Sequence, residues 1–331
     1  MRAVFLDFDT LGPGDIDAAP LLRHLPDLKL YPHTPADQVA ERIADADVVL
    51  INKVDLCGDT LARTTRLKLI CLAATGTDNV DLAAARKRGV AVCNIRDYCT
   101  PSVVQHVFAL LLALTHHLSE YRERLADRAW ADSAQFCLLD FPIRELEGKT
   151  LGIVGLGALG SGVADVAKAF GMHAIAARRP YAVTTFDASK MDAGMDDDRV
   201  ERVSFNDLLT RADVISLHCP LTPETESLID ADALRTMRND ALLINTARGG
   251  LIDSAALVTA LREGQIAGAG IDVLRQEPPV DPEPLTDASL PNLIVTPHIA
   301  WAARESRQRA VAEMAANIES FLNGESRNRV D

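Results

Sequence analysis

A two-domain α/β fold with parallel sheets is what this chain predicts, on three observations. Short apolar runs alternate with stretches of helical periodicity along nearly all of its 331 residues, the way successive strand-helix units appear in sequence. Gly155-Leu156-Gly157-Ala158-Leu159-Gly160 follows directly on the apolar run Leu151-Gly152-Ile153-Val154 and precedes a helical stretch, Val163 to Phe170. A composition of 48% hydrophobic and 24% charged residues excludes disorder and fibrous folds, and the length suffices for two domains, each with its own core.

In chain order, Ala3 to Leu6, Val48 to Ile51, Lys68 to Leu72 and Val90 to Cys93 are expected strands of a first unit. Thr100-Pro101 supplies a cap and a first helical residue. Val104, Val107, Phe108, Leu111, Leu114 and Leu118 then form a stripe at helical spacing, so a long buried helix leads into the second unit. That unit begins at Thr150, with further strands at Ala174 to Ala177, Val214 to Leu217, Leu242 to Asn245, Gly268 to Val273 and Leu293 to Thr296. Met191 to Glu201, with Asp192, Asp196, Asp197 and Asp198, is expected to be a solvated loop, and Trp301 to Leu322 a final amphipathic helix. The crossings near Thr100 and Pro297 make residues 101–296 a nucleotide-binding domain inserted into a smaller domain of residues 1–100 and 297–331. Ligand is expected in the cleft between them.

The formal net charge of −13 repels nucleic acid and anionic membrane, so neither is expected as a partner, and an anionic substrate needs a local cation. Asp7 and Asp9 interrupt the N-terminal apolar stretch that a signal peptide requires. The longest apolar run, Val107 to Leu114, falls far short of the ~20 residues that span a bilayer. A cytoplasmic protein is expected. The six cysteines, Cys57, Cys71, Cys93, Cys99, Cys137 and Cys219, show no C-x-x-C spacing and indicate neither a disulfide framework nor zinc. His116 and His117 are adjacent rather than at ligand spacing, so no metal site is expected.

Four segments carry chemistry. In the glycine loop, Gly155 allows a tight turn, Gly157 lets backbone approach a pyrophosphate, and Gly160 lets helix and strand pack closely. Arg248 follows the strand Leu242 to Asn245 and stands beside Gly249 and Gly250, which are expected to leave room for a ligand; its fork suits a carboxylate. Glu277 lies in the proline-stiffened stretch Asp272-Val273-Leu274-Arg275-Gln276-Glu277-Pro278-Pro279, and His298 follows the last strand of the unit. A histidine beside a carboxylate is the acid that a carbonyl reduction needs, because hydride arrival makes an alkoxide that must be protonated.

These residues resemble the D-isomer-specific 2-hydroxyacid dehydrogenase family over nearly the whole chain. Gly155 to Gly160, Pro220-Leu221-Thr222-Pro223-Glu224-Thr225, Asn245 to Asp253, Asp272 to Pro278 and Thr296 to Ala300 occur in the family's order and spacing. The resemblance implies two Rossmann-like domains, the nucleotide-binding one inserted into a flavodoxin-like substrate domain made of both termini. It also implies Arg248 as the residue that binds the substrate carboxylate and orients its carbonyl, His298 as proton donor and Glu277 as its orienting carboxylate. Carried over with the glycine loop as cofactor-binding positions are Thr100, His218, Pro220, Thr225, Thr246, Ala247, Arg248, Asp272 and His298, with Asp272 near the nicotinamide amide. Substrate contacts carried over are Asn52, Lys53, Thr75, Gly76, Thr77 and Trp301, besides Arg248 and His298. Asn52-Lys53-Val54, Ala74 to Asp81 and His298-Ile299-Ala300-Trp301 are most similar to the glycerate dehydrogenase and hydroxypyruvate/glyoxylate reductase branch. A small 2-oxo or 2-hydroxy acid is therefore the expected substrate, with a homodimer through the long-helix region and Trp130 to Phe141.

Two departures stand out. Eighteen residues after Gly160, where the family usually has an acid for the adenosine ribose, this chain has Arg178 and Arg179. An acid there favours NAD and an arginine favours a 2′-phosphate, so NADP is the expected cofactor and NAD the alternative. Gln105 stands where many members carry glutamate, with little effect expected on chemistry. Alternative functions on the same fold are phosphite or formate oxidation, or a cofactor-sensing, corepressor-like interaction protein.

Overall fold

Continuous apolar runs arise here because both sheets are parallel and covered on both faces, which leaves no solvent side to mark with polar residues. The computed structural model describes residues 1–179, 200–280, 282–286 and 290–331; the expected acidic loop lies outside them from 191 to 199. Two units emerge, Met1–Cys99 with Trp301–Asp331, and Thr100–Ala300.

The first unit has five strands, β1 (Ala3–Phe5), β2 (Leu28–Leu30), β3 (Val48–Ile51), β4 (Leu69–Leu72) and β5 (Ala91–Cys93). Their order is β2-β1-β3-β4-β5, every pair parallel. This is the flavodoxin-like order, in which the direction of winding reverses between β1 and β3. Val48 and Leu50 face one core with Phe5, while Val49 and Ile51 face the other with Val4 and Leu6, the two-residue alternation of a strand. Ala310, Val311, Met314 and Ile318 of the helix Arg304–Leu322 close the first of these cores. That helix starts after Trp301, which instead packs against the same core from the lead-in.

The second unit has seven strands, β6 (Thr150–Val154), β7 (His173–Ala177), β8 (Glu201–Val203), β9 (Val214–Leu217), β10 (Leu242–Asn245), β11 (Gly268–Ile271) and β12 (Leu293–Val295). The order β12-β11-β10-β9-β6-β7-β8 is that of a doubly wound dinucleotide-binding sheet with one further strand at the β12 edge. The helix Thr100–Thr115 covers one face through Val104, Val107, Phe108, Leu111 and Leu114. Leu118 does not join that stripe. His117 adopts φ +51°, the helix breaks there, and Leu118 starts a separate helix with 57% of its surface exposed.

Thr100 and residues 297–300, expected at the edge of the terminal domain, go with the second unit. The reason is local: the amides of Ile299 and Ala300 donate to the Asp272 carboxylate at 2.9 and 2.8 Å, and Ser102 Oγ donates to the Ala300 carbonyl at 2.6 Å. No single helix among the described residues is long and apolar enough to cross a membrane.

Candidate active site

The carboxyl ends of β6, β7, β9, β10, β11 and β12 share one edge of the second sheet, and the candidate residues of this unit lie along it. At the end of β6, Gly155 has φ +100°, and a Cβ there would lie 2.6 Å from the Cys219 backbone nitrogen. Only glycine fits. At Gly160 a Cβ would strike the Gly155 carbonyl, so that glycine lets the helix Ala158–Ala169 sit against the loop. At Gly157, by contrast, a Cβ would meet nothing within 4 Å. The first intrahelical bond runs from Ser161 N to Gly157 O at 2.8 Å, leaving the amides of Ala158, Leu159 and Gly160 in the unbonded first turn, where an anion is favoured. The glycine loop thus fits a pyrophosphate at the one position where its backbone faces open space.

Arg178 and Arg179 follow β7 directly, and both are exposed. Arg178 is tied by its backbone, its amide donating to the Val203 carbonyl at 2.8 Å. Their position is where the adenosine ribose lies in doubly wound folds.

Leu217 of β9 pairs with Asn245 of β10, so His218 and Thr246 leave neighbouring strands side by side. Each carries a buried polar atom without a partner among the described residues, Nδ1 of His218 and Oγ1 of Thr246. The other ring nitrogen of His218 lies 2.8 Å from Ser216 Oγ, and burial lowers its pKa to about 4, so the ring is neutral at physiological pH. Buried polar groups are normally paired; these two suit a ligand with both donors and acceptors. Thr225, expected beside them, is fully buried and spends its hydroxyl on the Pro220 carbonyl at 2.8 Å, which knots the turn 220–225. Thr100 is half-buried, its methyl packed where a Cβ on Gly162 would come within 3.4 Å.

Arg248 follows β10 in extended conformation. Its backbone is fixed by Asn245, whose Nδ2 donates to the Arg248 carbonyl at 2.9 Å and whose Oδ1 accepts from Ala247 N at 3.0 Å. Gly249 and Gly250 do not leave room for a ligand. Both are buried; a Cβ on Gly249 would collide with the Leu274 backbone, and one on Gly250 would come within 2.8 Å of the Leu221 side chain. They are small so that neighbouring chain can pass.

At the ends of β11 and β12 the structure brings three expected residues together. Glu277 accepts from Leu274 N through Oε1 at 2.8 Å, and its Oε2 lies 2.5 Å from His298 Nδ1. Both side chains are about one-third exposed or less, 27% for the histidine and 33% for the glutamate. Asp272 is buried, and its carboxylate accepts from Thr296 Oγ1 at 2.6 Å, Ile299 N and Ala300 N, with His106 Nε2 3.4 Å away. Burial by itself raises its pKa; the bonds from His106, Thr296 and the two amides outweigh that and hold the carboxyl below its ordinary value. With no accessible side-chain surface, Asp272 spends its oxygens on the turn that carries His298 rather than presenting them to a ligand. A carboxylate in contact with one imidazole nitrogen fixes the ring and supports positive charge on it, which equips the other nitrogen for proton transfer.

In the first unit the candidate residues follow β3 and β4. Asn52 is buried, with Nδ2 donating to Thr10 Oγ1 at 3.0 Å, while Lys53 is exposed. The amides of Asn52, Lys53 and Val54 all donate to the Asp7 carboxylate at 2.9, 2.6 and 3.2 Å. Thr75 Oγ1 donates to the Ile95 carbonyl at 2.8 Å, and the Thr77 carbonyl accepts from Val80 N; Gly76 lies between them, half-exposed. Asp7, Ser102, His106 and Thr296 have site-shaping roles that sequence reasoning missed. The available signals were an acid and a threonine directly after strands, and a serine and histidine on one helix face.

Residues 108–300 match the family model "D-isomer specific 2-hydroxyacid dehydrogenase, NAD binding domain". The chain is 43% identical to the glycerate dehydrogenase of Methylorubrum extorquens, covering 100% of this chain and 99% of that protein. It is 36% identical to the hydroxypyruvate reductase of Blautia hydrogenotrophica, covering both proteins in full. Among solved structures, an acyclic imino acid reductase in complex with NADPH and D-Arg superposes with a TM-score of 0.85 at 26% identity over 100% of both chains. With a dinucleotide loop, an Arg-Glu-His set at the strand ends and full-length likeness to named dehydrogenases and reductases, the chain belongs to the D-isomer-specific 2-hydroxyacid dehydrogenase family and is a nicotinamide-dependent oxidoreductase.

Proposed function

We propose that the enzyme reduces hydroxypyruvate to D-glycerate, or glyoxylate to glycolate, using NADPH in preference to NADH. The observation that carries the reading is the His298–Glu277 contact of 2.5 Å on the same sheet edge as the open backbone at Gly157. When bound along that edge, the nicotinamide cofactor supplies a hydride to the substrate's C2. As the carbonyl oxygen gains charge, His298 delivers a proton from Nε2, and Glu277 stabilises the ring orientation and the charge through Nδ1. Arg248 binds the substrate carboxylate through its fork and supplies the local cation that a chain of net charge −13 needs. Gly155, Gly157, Ala158, Leu159 and Gly160 hold the pyrophosphate, and His218 Nδ1 and Thr246 Oγ1 face the cofactor with Pro220 and Ala247. Arg178 and Arg179 meet the 2′-phosphate with charge-assisted hydrogen bonds. Asn52, Lys53, Thr75, Gly76, Thr77 and Trp301 are substrate contacts on the strength of the family resemblance.

The same proposal makes the enzyme a cytoplasmic homodimer. Supporting the dimer are exposed apolar side chains in one stretch of chain: Leu118, Leu125, Trp130, Phe136, Leu139 and Ile143, with Phe136 at 89%. The test is oxidation of NADPH and NADH by the purified enzyme across a panel of 2-oxo acids, with chiral analysis of the product. The expected result is D-glycerate from hydroxypyruvate, or achiral glycolate from glyoxylate, and a preference of roughly tenfold or more for NADPH; no turnover with either acid overturns the substrate, and equal efficiency with both cofactors overturns the NADP assignment.

A further inference from the structure

The turn that presents His298 is gripped from behind by one face of the helix Thr100–Thr115. Ser102 and His106 lie four residues apart, and so on the same face. Ser102 Oγ donates to the Ala300 carbonyl at 2.6 Å, after the histidine in sequence. His106 Nε2 lies 3.0 Å from Thr296 Oγ1, before it. Thr296 has a single hydroxyl proton, and the 2.6 Å contact to Asp272 Oδ1 uses it; His106 must therefore be the donor to Thr296, with Nε2 protonated. A chain of donors runs from the helix through Thr296 to Asp272, whose carboxylate then fixes the amides of Ile299 and Ala300. His298 itself has φ +54°, a backbone state that a non-glycine residue keeps only where its surroundings over-determine it.

The helix is a firm base for such a grip. A Cβ on Gly162 would come within 2.9 Å of Val104 Cγ2, and one on Gly270 within 2.9 Å of Leu110 Cβ. The helix is thus close-packed against both the dinucleotide helix Ala158–Ala169 and β11.

We propose that Ser102 and His106 form a clamp whose task is to hold His298 in register for proton transfer. They are positioning residues: Ser102 bonds the Ala300 carbonyl and His106 bonds Thr296, on either side of the histidine they hold. The proposal rests on His298 being the proton donor. A misplacement of about 1 Å in a proton-transfer group costs on the order of a hundredfold in rate, so loosening the turn acts on turnover while leaving cofactor affinity alone.

The test compares His106→Leu, His106→Gln, Ser102→Ala and His298→Gln in the full-length enzyme with its best 2-oxo acid. Turnover, the NADPH dissociation constant, the melting temperature and the low-field imidazole proton of the His298–Glu277 bond are measured, that proton being assigned by its loss in Glu277→Gln. His106→Leu is expected to lower kcat about tenfold or more and to weaken the low-field signal, with NADPH affinity unchanged. His106→Gln, which keeps a donor of similar reach, is expected to recover most of the turnover and the signal. Ser102→Ala removes one neutral bond and is expected to cost roughly threefold. Undiminished turnover in His106→Leu overturns the clamp. So does a parallel loss of turnover, cofactor affinity and melting temperature that His106→Gln does not relieve, since that describes general support of the fold. Retained turnover in His298→Gln overturns the proton-donor reading itself.

Discussion

Asp7 in the first unit and Asp272 in the second do the same job in different ways. Each is a buried acid just past a strand, and each accepts backbone amides from the loop after another strand: Asn52, Lys53 and Val54 for Asp7, Ile299 and Ala300 for Asp272. Their acidities nonetheless move apart. Burial raises the pKa of Asp7, and its three amide bonds only partly offset that. At Asp272 burial pushes the same way, but side-chain donors from His106 and Thr296 are added to the amides and the net shift is downward. Amides alone hold a loop at some cost to the charge that holds it; adding hydroxyl and imidazole donors secures both. The unit with the more fully satisfied carboxylate is also the one whose loop carries the proposed acid, His298.

The largest effects expected are on that second loop. His298→Gln removes the proton donor and is expected to lower kcat by ~100-fold or more, while the NADPH dissociation constant stays put. Asp272→Asn leaves a buried amide group facing amide donors; a loss of about 3 kcal/mol in stability, together with a fall in kcat, is expected from chemical denaturation and steady-state assays. Asp7→Asn is expected to raise KM with little change in kcat, because its loop bears candidate substrate contacts and no proton donor. Should Asp7→Asn depress kcat as far as Asp272→Asn, the division of labour drawn between the two acids is wrong.

Next in size is Arg248→Lys, which keeps a charge at the end of β10 but loses the planar fork. Michaelis constants for 2-oxo acids are expected to rise by one to two orders of magnitude, roughly the worth of a charge-assisted bond; unaltered kinetics would assign Arg248 to a structural ion pair. Arg178→Glu exchanges attraction for repulsion at a 2′-phosphate and is expected to turn a preference for NADPH into one for NADH. Competition assays at physiological salt decide it, since exposed charges are screened.

How far the site was legible follows the range of the interactions. The glycine loop was readable because each glycine answers a demand set within a few residues or by the next strand. Arg248, Glu277 and His298 were readable because apolar runs ending in polar residues mark strand ends. The clamp and the Asp7 bonds were not, since they join residues 198, 190 and 45 apart in sequence and no local pattern names a partner at that distance. The edge strands β2 and β8 were missed as well: each has three residues of mixed burial, too few for a period of two to show. Gly249 and Gly250 show the converse error. Small residues next to a candidate ligand site imply space, but what fills the space is set by chain arriving from Leu274 and Leu221.

The smallest effect expected is on the pH dependence of stability, and it tests the comparison most directly because its sign differs between the two acids. Asp272, with its pKa lowered in the fold, contributes stability that is complete above the unfolded-state value and lost as pH falls through the lowered one. Asp7, with its pKa raised, is least favourable when ionised at neutral pH; acidification through the raised value protonates it first in the folded state and relieves the cost. The melting temperature of the unsubstituted enzyme relative to Asp7→Asn is therefore expected to rise as pH is lowered from neutrality toward the carboxylate range. Relative to Asp272→Asn it is expected to fall as pH drops from the unfolded-state value through the lowered one. A change of about 1 kcal/mol in either term corresponds to roughly 2–4 °C for a unit of this size, within reach of paired calorimetric scans. If both gaps moved in the same direction, the side-chain donors from His106 and Thr296 would not be what separates the two carboxylates.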